Sequence, residues 1–180
     1  MTSVIRVDNI QSSGGTAALS IGTNGLIQPK QVAFQVEALG TDQAVSASGT
    51  TLLEFPTTNL DTGSYWDATN HRYTPQVAGW YFFSGLARCA FSTGAPRGNA
   101  VLAFHFRKNG LTSAANSISL QYQTSSDMIF NGNYPLPTGM LQLNGSTDYV
   151  QVEASGEEAF DFSDHATVRS IFSGFLVHAT

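Results

Sequence analysis

Charged side chains are scarce in this chain. Asp, Glu, Lys and Arg make up 12% of its 180 residues, where soluble proteins usually carry ~25%. Eight Lys and Arg, none in a run, stand against thirteen Asp and Glu, for a net charge of −5. That balance excludes a surface built to neutralise phosphates, so no nucleic-acid partner is expected. Cysteine is nearly absent. Cys89 is alone, which rules out a disulfide framework within the chain, and its apolar setting suits an inert buried thiol. No run approaches the ~20 apolar residues of a membrane span, so no insertion is expected. Arg6, Asp8 and Asn9 interrupt the apolar start, so a Sec-type leader is not expected either. The motifs of common enzymes are missing too: no Gly-x-Ser-x-Gly elbow, no Gly-rich phosphate loop, no His-Glu-x-x-His. The expectation is a protein that is not an enzyme.

What the chain does have is a hydrophobic fraction of 42% and a surface of Ser, Thr, Asn, Gln and Gly. The length suffices for one domain with a real core and a short appendage. A neutral polar surface suits a β protein working outside cells or within a rigid particle. It also suits a plain Thr- and Ser-rich sandwich. Strand patterns recur with turn signals between them: 32–36, 51–55, 64–67, 71–75, 79–90, 101–108, 117–122, 139–143, 149–152 and 167–178. Asn109-Gly110 and Asn144-Gly145 mark tight turns. No long amphipathic stretch of 3.6-residue period occurs, so the domain reads as nearly all β. Residues 1–30 read as a separate segment of short alternating strands, with Gly14-Gly15 and Asn24-Gly25 turns. Such strands bury little alone and need neighbours. The stretch Tyr65–Ala87 is the richest in aromatics and reads as a core-forming hairpin followed by a long apolar strand.

Four blocks, in order, carry a family resemblance: Val32-Ala33-Phe34-Gln35-Val36; Leu53 to Asn59 with Tyr65-Trp66-Asp67; His71 to Phe83; and Ser170 to His178. Together they resemble the globular domain of complement component 1q, whose jelly roll is shared with the tumour necrosis factor family. The resemblance covers about residues 32–180; Thr112 to Pro137 does not match it, and no collagen repeat precedes it. It implies a two-sheet antiparallel jelly-roll sandwich at 31–180 that forms a homotrimer. Tyr81, Phe83, Phe172 and Phe175 look too many for one sandwich face, so some are expected at the trimer interface. Residues 1–30 are similar to short segments of bacteriophage tail and fibre proteins, where such segments precede a C-terminal globular domain. That likeness implies a docking or oligomerisation segment that joins other virion proteins.

In an up-and-down sandwich the longest connections, at about 38–50, 91–99, 123–137 and 155–166, should gather at the end away from the termini. Long loops on a β scaffold tend to carry recognition. The candidate receptor-binding residues there are Arg97, Tyr134, Glu157, Glu158, Phe160, Asp161, Asp164 and His165. Their acidic group admits Ca²⁺ in principle, but no ligand spacing is fixed, and a solvated loop accounts for it. No cofactor is expected. His71, His105, His165 and His178 show no paired spacing, so no zinc site is expected. The combined expectation is a virion protein of a bacteriophage: a trimeric tail-fibre or spike adhesin gripping a host-surface glycan or protein through distal loops. A capsid, collar or cement protein without a receptor is the first alternative. A bacterial lectin-like surface protein is the second.

Overall fold

The computed structural model describes residues 9–11, 17–21, 27–29, 31–91, 100–123, 132–163 and 165–180. The chain folds as two units, Met1–Val32 and Ala33–Thr180. The first contains an antiparallel three-stranded sheet of β1 (Asn9–Gln11), β2 (Ala17–Ile21) and β3 (Ile27–Pro29). Leu19 pairs with Ile10 on one side and Pro29 on the other.

The second unit is all β among its described residues, with two antiparallel sheets. The first sheet is organised by its longest strand, β10 (Gly79–Ala90). One edge of β10 pairs with β13 (Gly132–Pro135) and β14 (Gly139–Leu143). Its other edge pairs with β17 (Ser170–Ala179) and, at Cys89 and Ala90, with β16 (Phe160–Phe162). β4 (Ala33–Ala38) and β7 (Thr57–Asp61) extend the sheet beyond β17, and β5 (Gln43–Val45) extends it beyond β16. In the second sheet, β11 (Val101–Lys108) lies between β12 (Ser117–Gln123) and β15 (Val150–Gly156). The far edge of β15 is shared by β6 (Thr50–Leu52) and by the hairpin of β9 (Arg72–Tyr73) with β8 (Trp66–Asp67).

Period-two alternation explains the core. Tyr81, Phe83 and Phe172 of the first sheet and Leu102, Phe104, Phe106 and Val152 of the second face each other and are buried. Phe172 packs against Phe34 at 5.0 Å, Phe106 at 5.2 Å, and Phe55 and Phe83 at 5.9 Å between ring centroids. Tyr73 stacks on Phe34 at 3.9 Å. These burials correct an expectation from the sequence. Tyr81, Phe83 and Phe172 are wholly enclosed in the core of one chain and have no surface to offer a second copy. Both registers of β10 carry aromatics, so composition alone gave no way to separate inside from outside.

Three further differences have local causes. The Leu53 to Asn59 block is not one strand: β6 ends just before it in the second sheet, and β7 begins within it in the first. The connecting Leu53 and Phe55 are buried as the chain crosses the core; the Leu53 N–H still donates to the Val152 carbonyl, but those of Glu54 and Phe55 go to the side chains of Gln43 and His71, and Pro56 has none. Three stretches read as loops contain strands, β5, β13 and β16, because each finds a partner distant in sequence: β13 and β16 on β10, and β5 on β16. Leu120 shares the core face with its buried partner Phe104, yet is 36% exposed because β12 is the edge of its sheet.

The turns match their chemistry. Asp67 Oδ1 accepts the N–H groups of Thr69 and Asn70, each at 3.0 Å. Asn144 Oδ1 accepts those of Ser146, Thr147 and Asp148 at 2.9–3.0 Å. This makes Asn144-Gly145-Ser146 a structural turn.

Two neighbouring tyrosines provide a controlled stability test. The Tyr81 hydroxyl donates to the Val77 carbonyl at 2.8 Å, whereas the buried Tyr73 hydroxyl has no hydrogen-bond partner among the described residues. In urea unfolding, Tyr81→Phe should cost about 1 kcal/mol, while Tyr73→Phe should be neutral or stabilising. Phe172→Ala should cost about 3–5 kcal/mol by opening a cavity among five rings.

Candidate functional site

Strand register divides the second unit into two ends. Gly79 pairs with Ala179 and Leu143, and Phe175 with Ala33, so these residues mark the base. At the opposite, distal end, Cys89 pairs with Gly132, Ala90 with Asp161, Val101 with Gln123 and Leu102 with Gly156. The described residues flanking 92–99 and 124–131 therefore lie at one end, together with the β15–β16 connection.

The candidate receptor-binding residues do not form one cluster there. Arg97 and Asp164 lie outside the described residues. Tyr134 and Phe160 are buried, which corrects their assignment to a binding surface. Tyr134 packs on Tyr122 at 5.1 Å between ring centroids, and Phe160 on Phe91 at 5.9 Å. Each is held inside by the pairing of its short strand to β10. Asp161 is half-buried within β16 and Glu158 is half-buried in the loop before it. His165 is exposed, with Nδ1 accepting the Thr167 N–H at 3.2 Å. Among the described residues no group of three His, Cys, Asp or Glu is arranged to hold a metal ion.

Glu157 is different, because it borders a recess. One row crosses four strands of the second sheet on its outer face: Gln121 of β12, Ala103 of β11, Ser155 of β15 and Thr50 of β6. Ala103 is the small residue in that row. With Ser48 and Gly49 on the rim and Glu157 and Val101 at the distal side, the row lines a shallow, open recess of about 400 Å³. The rim is pinned where the Ser48 N–H donates to the Gly156 carbonyl at 2.7 Å. Glu157 is pinned where its Oε2 accepts the Val101 N–H at 3.1 Å.

The next rows toward the base are a polar network. His105, only 9% exposed, bonds Ser119 Oγ through Nδ1 at 2.8 Å and Ser155 Oγ through Nε2 at 3.2 Å. Arg107 Nε pairs with Glu153 Oε2 at 3.3 Å, and Arg107 Nη1 bonds Ser117 Oγ. Gln151 donates to the other oxygen of Glu153 at 2.6 Å. Burial pushes the His105 imidazole below its ordinary pKa; Arg107 adds to the shift and Glu153 opposes it. The neutral ring then accepts from one serine and donates to the other.

The outer face of the first sheet carries one apolar row toward the base, with polar neighbours such as Ser84, Ser173 and Gln35 beyond it. Met140, Phe82 and Phe175 lie side by side across β14, β10 and β17. The Phe82 and Phe175 rings are 5.4 Å apart. Met140 is 52% exposed, Trp80 41% and Phe175 40%, with exposed Val177 on β17 and Leu60 on β7 nearby. Of the four aromatics expected to meet a second copy, Phe175 alone lies on this surface.

Sequence reading missed Ser48, Thr50, Gln121 and Ser155. They come from three separate segments, 48–50, 121 and 155, and no local pattern joins them. The nearest signal was the alternation of β11, which places Ala103, His105 and Arg107 on one face.

No family model matches the sequence, and no curated protein matches it. Solved structures do. The globular domain of a zebrafish complement 1qA protein aligns with TM-score 0.52 and 17% identity, covering 83% of this chain and 99% of that one. The Eiger tumour necrosis factor of S. frugiperda aligns at 0.58 and 9% identity, covering 83% and 94%. Murine APRIL aligns at 0.56 and 11% identity, covering 82% and 99%.

The His105 network makes stability depend on pH. The unfolded imidazole takes up a proton near its ordinary pKa of 6.5, while the folded one resists until lower pH. The contribution is therefore full above pH 6.5 and is lost as pH falls through the folded value. Asp67 and Asp148 also have pKa values below their ordinary 3.8. Asn70 bonding is the main cause for Asp67, whereas at Asp148 bonds from Lys108, Asn109 and Asn144 outweigh burial. They act only at lower pH. Urea midpoints should thus fall between about pH 7 and 5, and His105→Gln should flatten that slope while leaving the drop below about pH 4. The fold that carries these groups is the jelly roll of the complement 1q and tumour necrosis factor type.

Proposed function

We propose that this protein is a non-enzymatic attachment module of a virus particle, most simply of a bacteriophage, that works as a homotrimer. Residues 1–30 join it to other virion proteins, and the distal end of the jelly roll meets a host-surface glycan or protein. The observation that carries this reading is the polarity of the second unit. An exposed apolar row lies toward the base of one outer face, and a polar recess lies toward the distal end of the other.

Each part of the reading has its own support. The row Met140–Phe82–Phe175 with Trp80 is an exposed apolar patch of the kind that marks an association surface. It contains no charged residue, so identical copies meet there without like-charge repulsion. For the virion context, the support is the likeness of residues 1–30 to tail and fibre segments. For attachment, it is the gathering of strand ends away from the base, on a rigid scaffold.

Sedimentation equilibrium should give three times the chain mass. Phe175→Asp with Met140→Asp should give a monomer of unchanged far-UV circular dichroism. A monomeric wild type would remove the trimer. Immunogold labelling of particles should place the chain at a tail tip, and adding the isolated protein should block adsorption to host cells. Regular spacing on capsid faces with no block would favour the decoration or cement role instead.

A further inference from the structure

We infer that the recess between β6, β11, β12 and β15 binds an uncharged saccharide of one or two hexose units. The proposal rests on the attachment reading only for where such a ligand would come from; the site itself stands on the following chemistry.

The recess volume, about 400 Å³, falls in the range of small-ligand sites, which is ~300–1,000 Å³. Its wall offers the hydroxyls of Ser48, Thr50 and Ser155, the amide of Gln121 and the carboxylate of Glu157. Hydroxyls and an amide both donate and accept, as the hydroxyls of a sugar do. An aliphatic floor of Ala103 and Val101 fits the C–H face of a pyranose. Ala103 sits in the middle of the row, and any longer side chain there would fill the space.

Charge narrows the class. Among the described residues no Lys, Arg or His lines the recess, and the single ionisable group is Glu157. One of its oxygens is engaged by the Val101 N–H, which leaves the other for a ligand hydroxyl. A phosphate, sialate or uronate would meet that carboxylate as a like charge with no cation among the described lining residues to offset it. A flat apolar ligand finds no aromatic wall among the described lining residues.

Preorganisation separates this recess from an ordinary dent in a sheet. The Ser155 hydroxyl is held from behind by His105, which is fixed in turn by Ser119. The rim is pinned by Ser48 to Gly156. His105 is thus a positioning residue: it orients Ser155 without reaching the ligand.

The test is NMR titration of the full chain with methyl glycosides of neutral hexoses and of glucuronic acid. Saturable binding of at least one neutral glycoside is expected, with shifts confined to 48–50, 101–105, 119–121 and 153–157. Gln121→Ala lies on an edge strand and should weaken binding at least about 10-fold, the effect of a lost hydrogen bond or two. Ala103→Leu should abolish it. Glu157→Gln keeps the shape and should admit the glucuronide that wild type rejects. Thermal melts check that each variant is folded; if Ala103→Leu is not, the other two decide. The inference is overturned if no neutral glycoside binds, if the glucuronide binds wild type better, or if folded Gln121→Ala and Glu157→Gln both leave binding unchanged. Adherence to host cells that no saccharide competes would sink the recess and spare the attachment reading. Hexose binding without any adherence would do the reverse.

Discussion

The fold depends on how Phe172 is seated. Its ring meets those of Phe34, Phe55, Phe83 and Phe106, which come from both sheets and from the crossing between them. Room for that cluster is made two residues along β17, at Gly174. A Cβ there would lie 2.6 Å from Phe83 Cδ1, 2.8 Å from Phe34 Cε1 and 2.9 Å from the Phe82 carbonyl oxygen. No larger residue fits without moving a ring or a strand. The pair Phe172–Gly174 thereby sets which face of β17 is inside. Through pairing, it also sets the faces of β4 and β10. Every exposed feature of the first sheet follows from that phase.

The same phase explains what could and could not be read from the sequence. Strand after strand was legible from alternation and turns: Asn109-Gly110, Asn144-Gly145 and the Asp67–Asn70 turn all stand where their chemistry implies. The inside of β10 was not legible. Trp80 and Phe82 alternate with Tyr81 and Phe83, so a period-two reading finds aromatics on both faces and no contrast between them. Burial decides it, since Tyr81 and Phe83 are fully enclosed and Trp80 is exposed. The mistaken reading of Tyr134 and Phe160 has a different cause. Both sit in short strands whose hydrogen-bond partners are far away in sequence, and no local rule reports such pairing.

The recess was illegible for a third reason. Gln121, Ala103, Ser155 and Thr50 are neighbours only because β12, β11, β15 and β6 pair in one register. A slip of one residue in any of these pairings would turn its contribution to the core side. Glu157 was found by sequence for its acidity, as part of a group with Asp161 and Asp164. In the structure it does something else: it supplies the negative wall of a mostly neutral site.

The scarcity of charge noted at the start now has a location. On one outer face the row Met140–Phe82–Phe175 carries no charge and, in the proposed trimer, meets identical copies. On the opposite outer face the charges Arg107 and Glu153 are spent on each other, behind the recess rather than in it. A site of hydroxyls, one amide and one carboxylate makes only modest contacts with a sugar, so a single recess binds weakly. Association through the apolar row of the first sheet would leave the outer face of the second free on every copy. In the proposed trimer, three such recesses on one particle-bound module would turn weak binding into retention, because the second and third contacts would form at high effective concentration. In this scheme the two outer faces are complementary. The apolar one supplies the copies, and their number supplies the strength that the polar one lacks.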